Sequence, residues 1–161
     1  DFNVSRGRSE SGRPAPAVQP SDRGEHYEVL AGISRVHGVM APFVFSGHCN
    51  MYIVAMWFKY FLLPLCTPGD LVIVDRASYW QGQANAQVLL RPIFRAAQVD
   101  VLYLPPRSPQ LNPIEKLWGW MKRRLRARSF WASRTPIAAI YAALDDADVG
   151  LCRSYIDFLW G

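Results

Sequence analysis

Residues 103–118 read Tyr103-Leu-Pro-Pro-Arg-Ser-Pro-Gln-Leu-Asn-Pro-Ile-Glu-Lys-Leu-Trp118, a loop holding four prolines that runs into a helix opening on a single acid. Pro105, Pro106, Pro109 and Pro113 fix their own φ and bias each preceding residue away from helical backbone. Asn112 is a favoured N-cap, Pro113 suits the first helical position, and Glu115 falls at the third. Ile114, Leu117, Trp118, Met121 and Leu125 then follow the i, i+3, i+4, i+7, i+11 spacing of one buried face. Glu115 lies beside that stripe, over Gly119, Lys122 and Arg126, where it can sit at the edge of the core and face a cleft. Two readings of Glu115 stand side by side. An Asn cap followed three residues later by Glu is a capping-box signature, which the helix dipole favours. An acid at such an edge is also a candidate catalytic group, and a second acid upstream gives it a partner.

Leu71-Val-Ile-Val-Asp75 is a short apolar run ending on that acid. Continuous hydrophobicity over so few residues predicts a strand buried on both faces, as in a sheet covered by helices. Thr67-Pro-Gly-Asp70 before it is a turn signal. Open α/β sheets place their ligands at the C-terminal ends of their strands, where Asp75 stands; the alternative is an Asx-turn at a strand end. Around these two acids the chain alternates strands and helices. A hairpin is expected from His26 to Ser34 and Gly38 to Phe45, turning at Arg35-Val-His-Gly38, and a helix from about Asn50 to Leu63. A helix from Asn85 to Ala97, bent or started late by Pro92, leads to a strand from Val99 to Leu104. Helices are expected again from Thr135-Pro136 to about Asp145 and from Gly150 to Trp160.

A length of 161 residues suits one domain, and half the chain is apolar, so the fold is globular. The net charge is +5, and six of the thirteen residues from Lys116 to Arg128 are basic. Lys116, Lys122, Arg123, Arg124, Arg126 and Arg128 form either a solvated face or a phosphate-binding stripe. Trp118 lies on the apolar stripe, whereas Trp120 points elsewhere and is the candidate for contact with a nucleic acid. Cys49, Cys66 and Cys152 are odd in number and widely spaced, which argues for a reducing compartment and against a zinc site. His26, His37 and His48 recur every eleven residues with no ligand spacing, a recurrence expected to be coincidental. Met51 to Cys66 is too short to span a bilayer and contains Lys59 and Pro64, so no membrane partner is expected.

The segment from Asp75 to Glu115 resembles the catalytic-acid half of a DDE transposase of the mariner and insertion-sequence superfamily, a DDE superfamily endonuclease. In that family an apolar strand ends in Asp-Asn-x-x-x-His, and the third acid closes a Leu-Pro-Pro-Tyr-Ser-Pro-Asp-Leu-Asn-Pro-Ile-Glu signature. The matching segments here are Val74-Asp75-Arg-Ala-Ser-Tyr-Trp80 and Leu104-Pro-Pro-Arg-Ser-Pro-Gln-Leu-Asn-Pro-Ile-Glu115. The resemblance covers roughly residues 27–128. Arg76 stands for the usual Asn, Trp80 for the His, and Arg107 and Gln110 for the Tyr and Asp of the signature. Thirty-nine residues lie between the two acids, a few more than in the bacterial branch, and the surplus is assigned to Gln81-Gly-Gln-Ala-Asn85.

The resemblance implies an α/β, ribonuclease H-like mixed sheet flanked by helices, with residues 25–161 as the endonuclease domain. It makes residues 1–24 a loop following a first strand that this chain lacks, with Gly12-Arg-Pro-Ala-Pro16 as a family element within it. Asp1 would then be the first catalytic acid, the alternative being an arbitrary boundary. An absent central strand should leave a gap, a substitute segment or direct pairing between the Tyr27 and Val72 strands. The implied chemistry is DNA nicking and strand transfer at transposon ends, with two Mg²⁺ or Mn²⁺ ions about 3.5–4 Å apart held by Asp1, Asp75 and Glu115. Implied partners are transposon-end and target DNA and a second copy in a homodimer. The place of action would be the nucleus of a eukaryotic host, or otherwise the cytoplasm and nucleoid. A decayed or host-adapted domain that binds DNA without cutting it is the alternative, supported by Arg76 and Trp80.

Overall fold

A computed structural model of the chain describes residues 26–75, 85–128 and 134–161. The first two strands, β1 (Tyr27–Ser34) and β2 (Gly38–Ser46), form the expected antiparallel hairpin. Its tight turn closes on Gly38, at φ +74, where an added Cβ would also meet the Val149 backbone at 3.3 Å. Between Leu30↔Phe43 and Gly32↔Met40 the register shifts by one extra residue on β2. This bulge contains Pro42, which cannot donate to a ladder, and Ala41 at φ +50. The indole of Trp57 donates to the Ala41 carbonyl at 2.7 Å and ties the bulge to the next helix.

That helix, α1 (Met51–Trp57), is capped by Asn50, whose Oδ1 accepts from Tyr52 N and Ile53 N, each at 3.0 Å. It widens into a π turn over Phe58–Leu62 and ends as a 3₁₀ turn at Leu63–Leu65, where Pro64 stops it. Strand β3 (Leu71–Val74) pairs in parallel with β4 (Asp100–Tyr103), in register Leu71↔Asp100 to Val74↔Tyr103. Parallel strands need a long crossover, and α2 (Asn85–Ala97) lies in it. The helix begins where expected, with no late start, and Pro92 lies in its interior. Among the described residues three further helices follow: α3 (Ile114–Ala127), α4 (Pro136–Asp145) and α5 (Val149–Trp160).

Two apolar cores lie on opposite faces of the hairpin. Alternation along β1 sends Leu30 to a core of α1, α2 and the β3–β4 pair, which contains Trp57, Phe58, Val74, Leu90 and Phe94. Val29 and Ile33 face a second core of α3 and α4 built on Leu117, Met121, Leu125, Ile140 and Leu144. Helix α5 clamps the hairpin turn through Arg35 Nη2–Asp157 Oδ1 at 2.7 Å and Arg153 Nε donating to Arg35 O at 3.0 Å. Cys49, Cys66 and Cys152 are free thiols. No helix among the described residues is long and apolar enough to cross a membrane.

Among the described residues the strands form two separate two-stranded sheets, β1–β2 and β3–β4. A cleft of about 700 Å³ lies between them. Its lining includes every residue from Val29 to Ser34 and from Leu71 to Asp75, whichever way each side chain points. Strand edges, not faces, therefore border the space. This corrects the expectation that β3 is buried on both faces: Leu71 is 56% exposed, and Val72 and Ile73 are only partly covered. Among the described residues no strand lies between β1 and β3. Residues 1–25, with Asp1, the Gly12–Pro16 element and the loop they were expected to form, lie outside the described residues, as do Arg76, Trp80 and residues 81–84.

The second core is continuous around Leu117, whose side chain is fully buried. Leu117→Ala should destabilise the fold by about 2–5 kcal/mol. Chemical denaturation that shows less than about 1 kcal/mol would mean that α3 is not held by this face.

Candidate active site

Asp75 follows the last residue of β3, and the backbone fixes what stands beside it. The Val74 carbonyl accepts from Leu104 N at 2.9 Å, so the chain leaving β4 enters the proline loop next to the strand-end acid. Leu104 is buried, and beyond it Arg107 is held at φ +56. Left-handed backbone costs a non-glycine residue about 1 kcal/mol or more, and the flanking Pro106 and Pro109 leave little freedom to relax it. A 3₁₀ turn over Pro109–Leu111 then delivers Asn112, the buried polar residue at the start of α3. Trp160 on α5 braces this loop, its Nε1 donating to Leu111 O at 3.2 Å.

The start of α3 follows the sequence reading in part. Asn112 is extended and Pro113 helical, as N-cap and first position require. The Asn112 side chain reaches only Ile114 N, at 3.4 Å. The reciprocal half of a capping box does not form, because Asn112 N donates to Pro109 O at 2.9 Å. Glu115 is exposed and its carboxylate has no hydrogen bond among the described residues, so the capping reading does not account for it.

The Glu115 carboxyl is instead raised above its ordinary value of 4.5. Desolvation is the larger cause, followed by the negative charge of Asp75, with Lys122 opposing both. Glu115 thus feels the charge of Asp75, with 39 residues between them in the sequence, at one end of the cleft that Asp75, Asn112 and Pro113 line. Asp1 lies outside the described residues.

The basic stripe divides in two. Arg124 donates twice to Asp146 Oδ2, at 3.1 Å from Nε and 2.9 Å from Nη2, and Arg128 reaches the same oxygen at 3.1 Å. Both guanidinium groups therefore hold α3 to the end of α4. Arg124 also covers the Trp120 ring at 4.8 Å, and Trp120 packs on the second core, so the side chain expected to face a partner is partly committed to the fold. Lys116 Nζ sits 3.7 Å from the centre of the Phe158 ring. Lys122, Arg123 and Arg126 are exposed and form no ion pair among the described residues.

A profile of the DDE superfamily endonucleases matches residues 1–137. The chain belongs to that family. Among curated proteins, none matches it. Membership marks it as a nuclease of transposase type and implies a DNA substrate.

Sequence reasoning missed a histidine pair. The hairpin carries His37 to the turn and brings His26 and His48 together at its open mouth, with ring centres 5.1 Å apart and Glu28 within 3.0 Å of His26. Their separation in the sequence gives no hint of this, because pairing across the hairpin, not spacing along the chain, sets the distance. The residue opposite the end of β1 could have been counted only once the register was known.

The raised pKa has a consequence for stability. A folded state that binds a proton more tightly than the unfolded chain gains stability below the ordinary carboxyl range and loses it as pH rises through the raised value. In the presence of a chelator, Glu115→Gln should therefore melt above the native chain near pH 7 and level with it near about pH 4. A variant that melts lower than the native chain at neutral pH would show that Glu115 serves the fold.

Proposed function

We propose that this chain is the metal-dependent DNA nicking and strand-transfer domain of a DNA transposase, acting on phosphodiester bonds at transposon ends. The observation that carries the reading is the placement of Asp75, at the end of β3, beside the proline loop that leads to Glu115, at the start of α3, close enough for the charge of Asp75 to raise the Glu115 carboxyl. A ribonuclease H-like sheet, the finer fold of this reading, requires a further strand between β1 and β3, and the cleft bordered by their edges has the place for it. Asp1 is the third acid of the proposal.

The donor chemistry of the pair fits a hard divalent ion such as Mg²⁺ or Mn²⁺. Two carboxylates at one cleft end repel each other, and one of them is left without a hydrogen-bond donor among the described residues. Asp75 and Glu115 would hold the ions, with Asp1 between them. When bound, a pair of such ions lowers the pKa of the attacking water or 3′-hydroxyl and stabilises charge on the attacking and leaving oxygens. The strand end and the helix start supply rigid mounts for the two carboxylates. Lys122, close enough to oppose the rise in the Glu115 pKa, adds positive charge where a phosphate would approach.

The second reading, a host-adapted domain that binds DNA without cutting it, rests on Arg76 and Trp80, which replace the family's Asn and His. Activity separates the two. With Mg²⁺ or Mn²⁺ the native chain should nick DNA carrying its transposon ends, and Asp75→Ala or Glu115→Gln should lower the rate by at least about 100-fold with folding retained. Gln preserves helix-starting capacity but is a poor ligand for a hard cation. Normal cutting by Glu115→Gln would remove the acid pair from the mechanism, and a native chain that binds but never nicks would favour the second reading.

Binding itself should depend on the free cations. Charge reversal at Lys122, Arg123 and Arg126 should weaken DNA binding for all sequences and flatten the slope of log K against log salt by about 0.9 for each phosphate no longer neutralised. An unchanged slope would make the stripe a solvated face.

A further inference from the structure

We propose that His26, Glu28 and His48 form a second, nitrogen-rich metal site, separate from the acid pair and suited to Zn²⁺. One ligand atom from each of the three residues lies within 4.8 Å of the others. His26 Nε2 and Glu28 Oε1 are 3.0 Å apart, and the His26 and His48 rings lie 5.1 Å between centres with a 34° tilt. A tetrahedral ion with bonds of about 2.0–2.1 Å separates its ligand atoms by roughly 3.3–3.4 Å. One pair already falls near that spacing, and rotation of exposed imidazoles closes the rest.

The backbone explains why these three side chains meet. His26 and Glu28 are two residues apart on extended chain, so they share one face. At the far end of β2, Gly47 takes φ +110 and donates to His26 O at 2.9 Å. The hairpin mouth is thereby pinned, and the chain turns so that His48 comes back over His26. Immediately beyond, Asn50 caps α1. An ion bound here would tie the start of β1 to the segment joining β2 to α1.

The donor set decides the class of ion. Two imidazoles and one carboxylate select a borderline ion such as Zn²⁺, leaving a fourth position for water, whereas Mg²⁺ prefers oxygen ligands throughout. Asp70, held below the usual carboxylate range chiefly by hydrogen bonds from Thr67, also feels the charge of His37. The turn end of β1 and the start of β3 therefore border the same cleft.

The test uses the full chain with Asp75→Asn and Glu115→Gln, so that the acid pair contributes no binding. Zn²⁺ titrated by calorimetry should bind at one equivalent. Co²⁺ should give a visible absorption band that Zn²⁺ bleaches, and excess Mg²⁺ should leave it in place. His26→Ala and His48→Ala should each weaken Zn²⁺ binding by at least about tenfold, with circular dichroism unchanged because both histidines are exposed. Glu28→Gln should weaken it while keeping the size of the side chain. Less than one equivalent of Zn²⁺, or an affinity that survives the two histidine substitutions, would overturn the site. Zn²⁺ binding that is present with native acids and absent in the Asp75→Asn, Glu115→Gln background would overturn it too, by assigning the ion to the acid pair. None of these outcomes depends on DNA cutting.

Discussion

The bond from Leu104 N to Val74 O sets where the proline loop begins, and the position of α3 depends on it. It extends the parallel β3–β4 ladder by one rung and forces the chain to leave β4 beside Asp75. From there the prolines allow few routes. Pro105, Pro106 and Pro109 carry the backbone through a left-handed Arg107 and a 3₁₀ turn to the start of α3. A more flexible loop of the same length would let α3 begin in many places. Rigidity here converts a sheet register into the position of a carboxylate.

The two acids also belong to different halves of the interior. Val74, just before Asp75, is buried with α1 and α2, while Leu117, two residues beyond Glu115, is buried with α4. The hairpin separates those cores and contributes side chains to both. The hairpin thus stands between the two parts of the interior that carry the acids. The bulge at Ala41, fastened by Trp57, and the clamp of α5 on the Arg35 turn act on that same hairpin. The parts far from the cleft are thus tied to its geometry through one element.

Much of this was legible in the sequence, and for identifiable reasons. The hairpin, the Asp75 strand, the crossover helix and the stripe of α3 each rest on local periodicity or turn chemistry. Local patterns survive folding where a core supports them. Three features were not legible. The burial of β3 was overstated, because a run such as Leu71-Val-Ile-Val74 reads the same whether its edge meets a neighbour or a cleft. The roles of Arg124 and Arg128 were hidden, since nothing in the stripe itself reveals that Asp146 will come to lie against it. The meeting of His26 and His48 depends on the pairing of distant residues.

The electrostatics of α3 follow from the same division. Its cations are not equivalent, although the sequence writes them as one run. Asp146 sits between two guanidinium groups and is itself held below the usual carboxylate range, first by its hydrogen bond from Arg124. That interaction is exposed, so it stabilises the fold only slightly, but it sets the direction in which those side chains point. Lys122, by contrast, is exposed and opposes the rise of the Glu115 carboxyl, and Arg123 and Arg126 are exposed. Among these free cations, Lys122 carries positive charge to Glu115. Arg124 and Arg128 could meet another anion only by giving up Asp146. Partition of one helix into fastening and free cations lets Arg124 and Arg128 orient α3 against α4 while Lys122, Arg123 and Arg126 stay exposed.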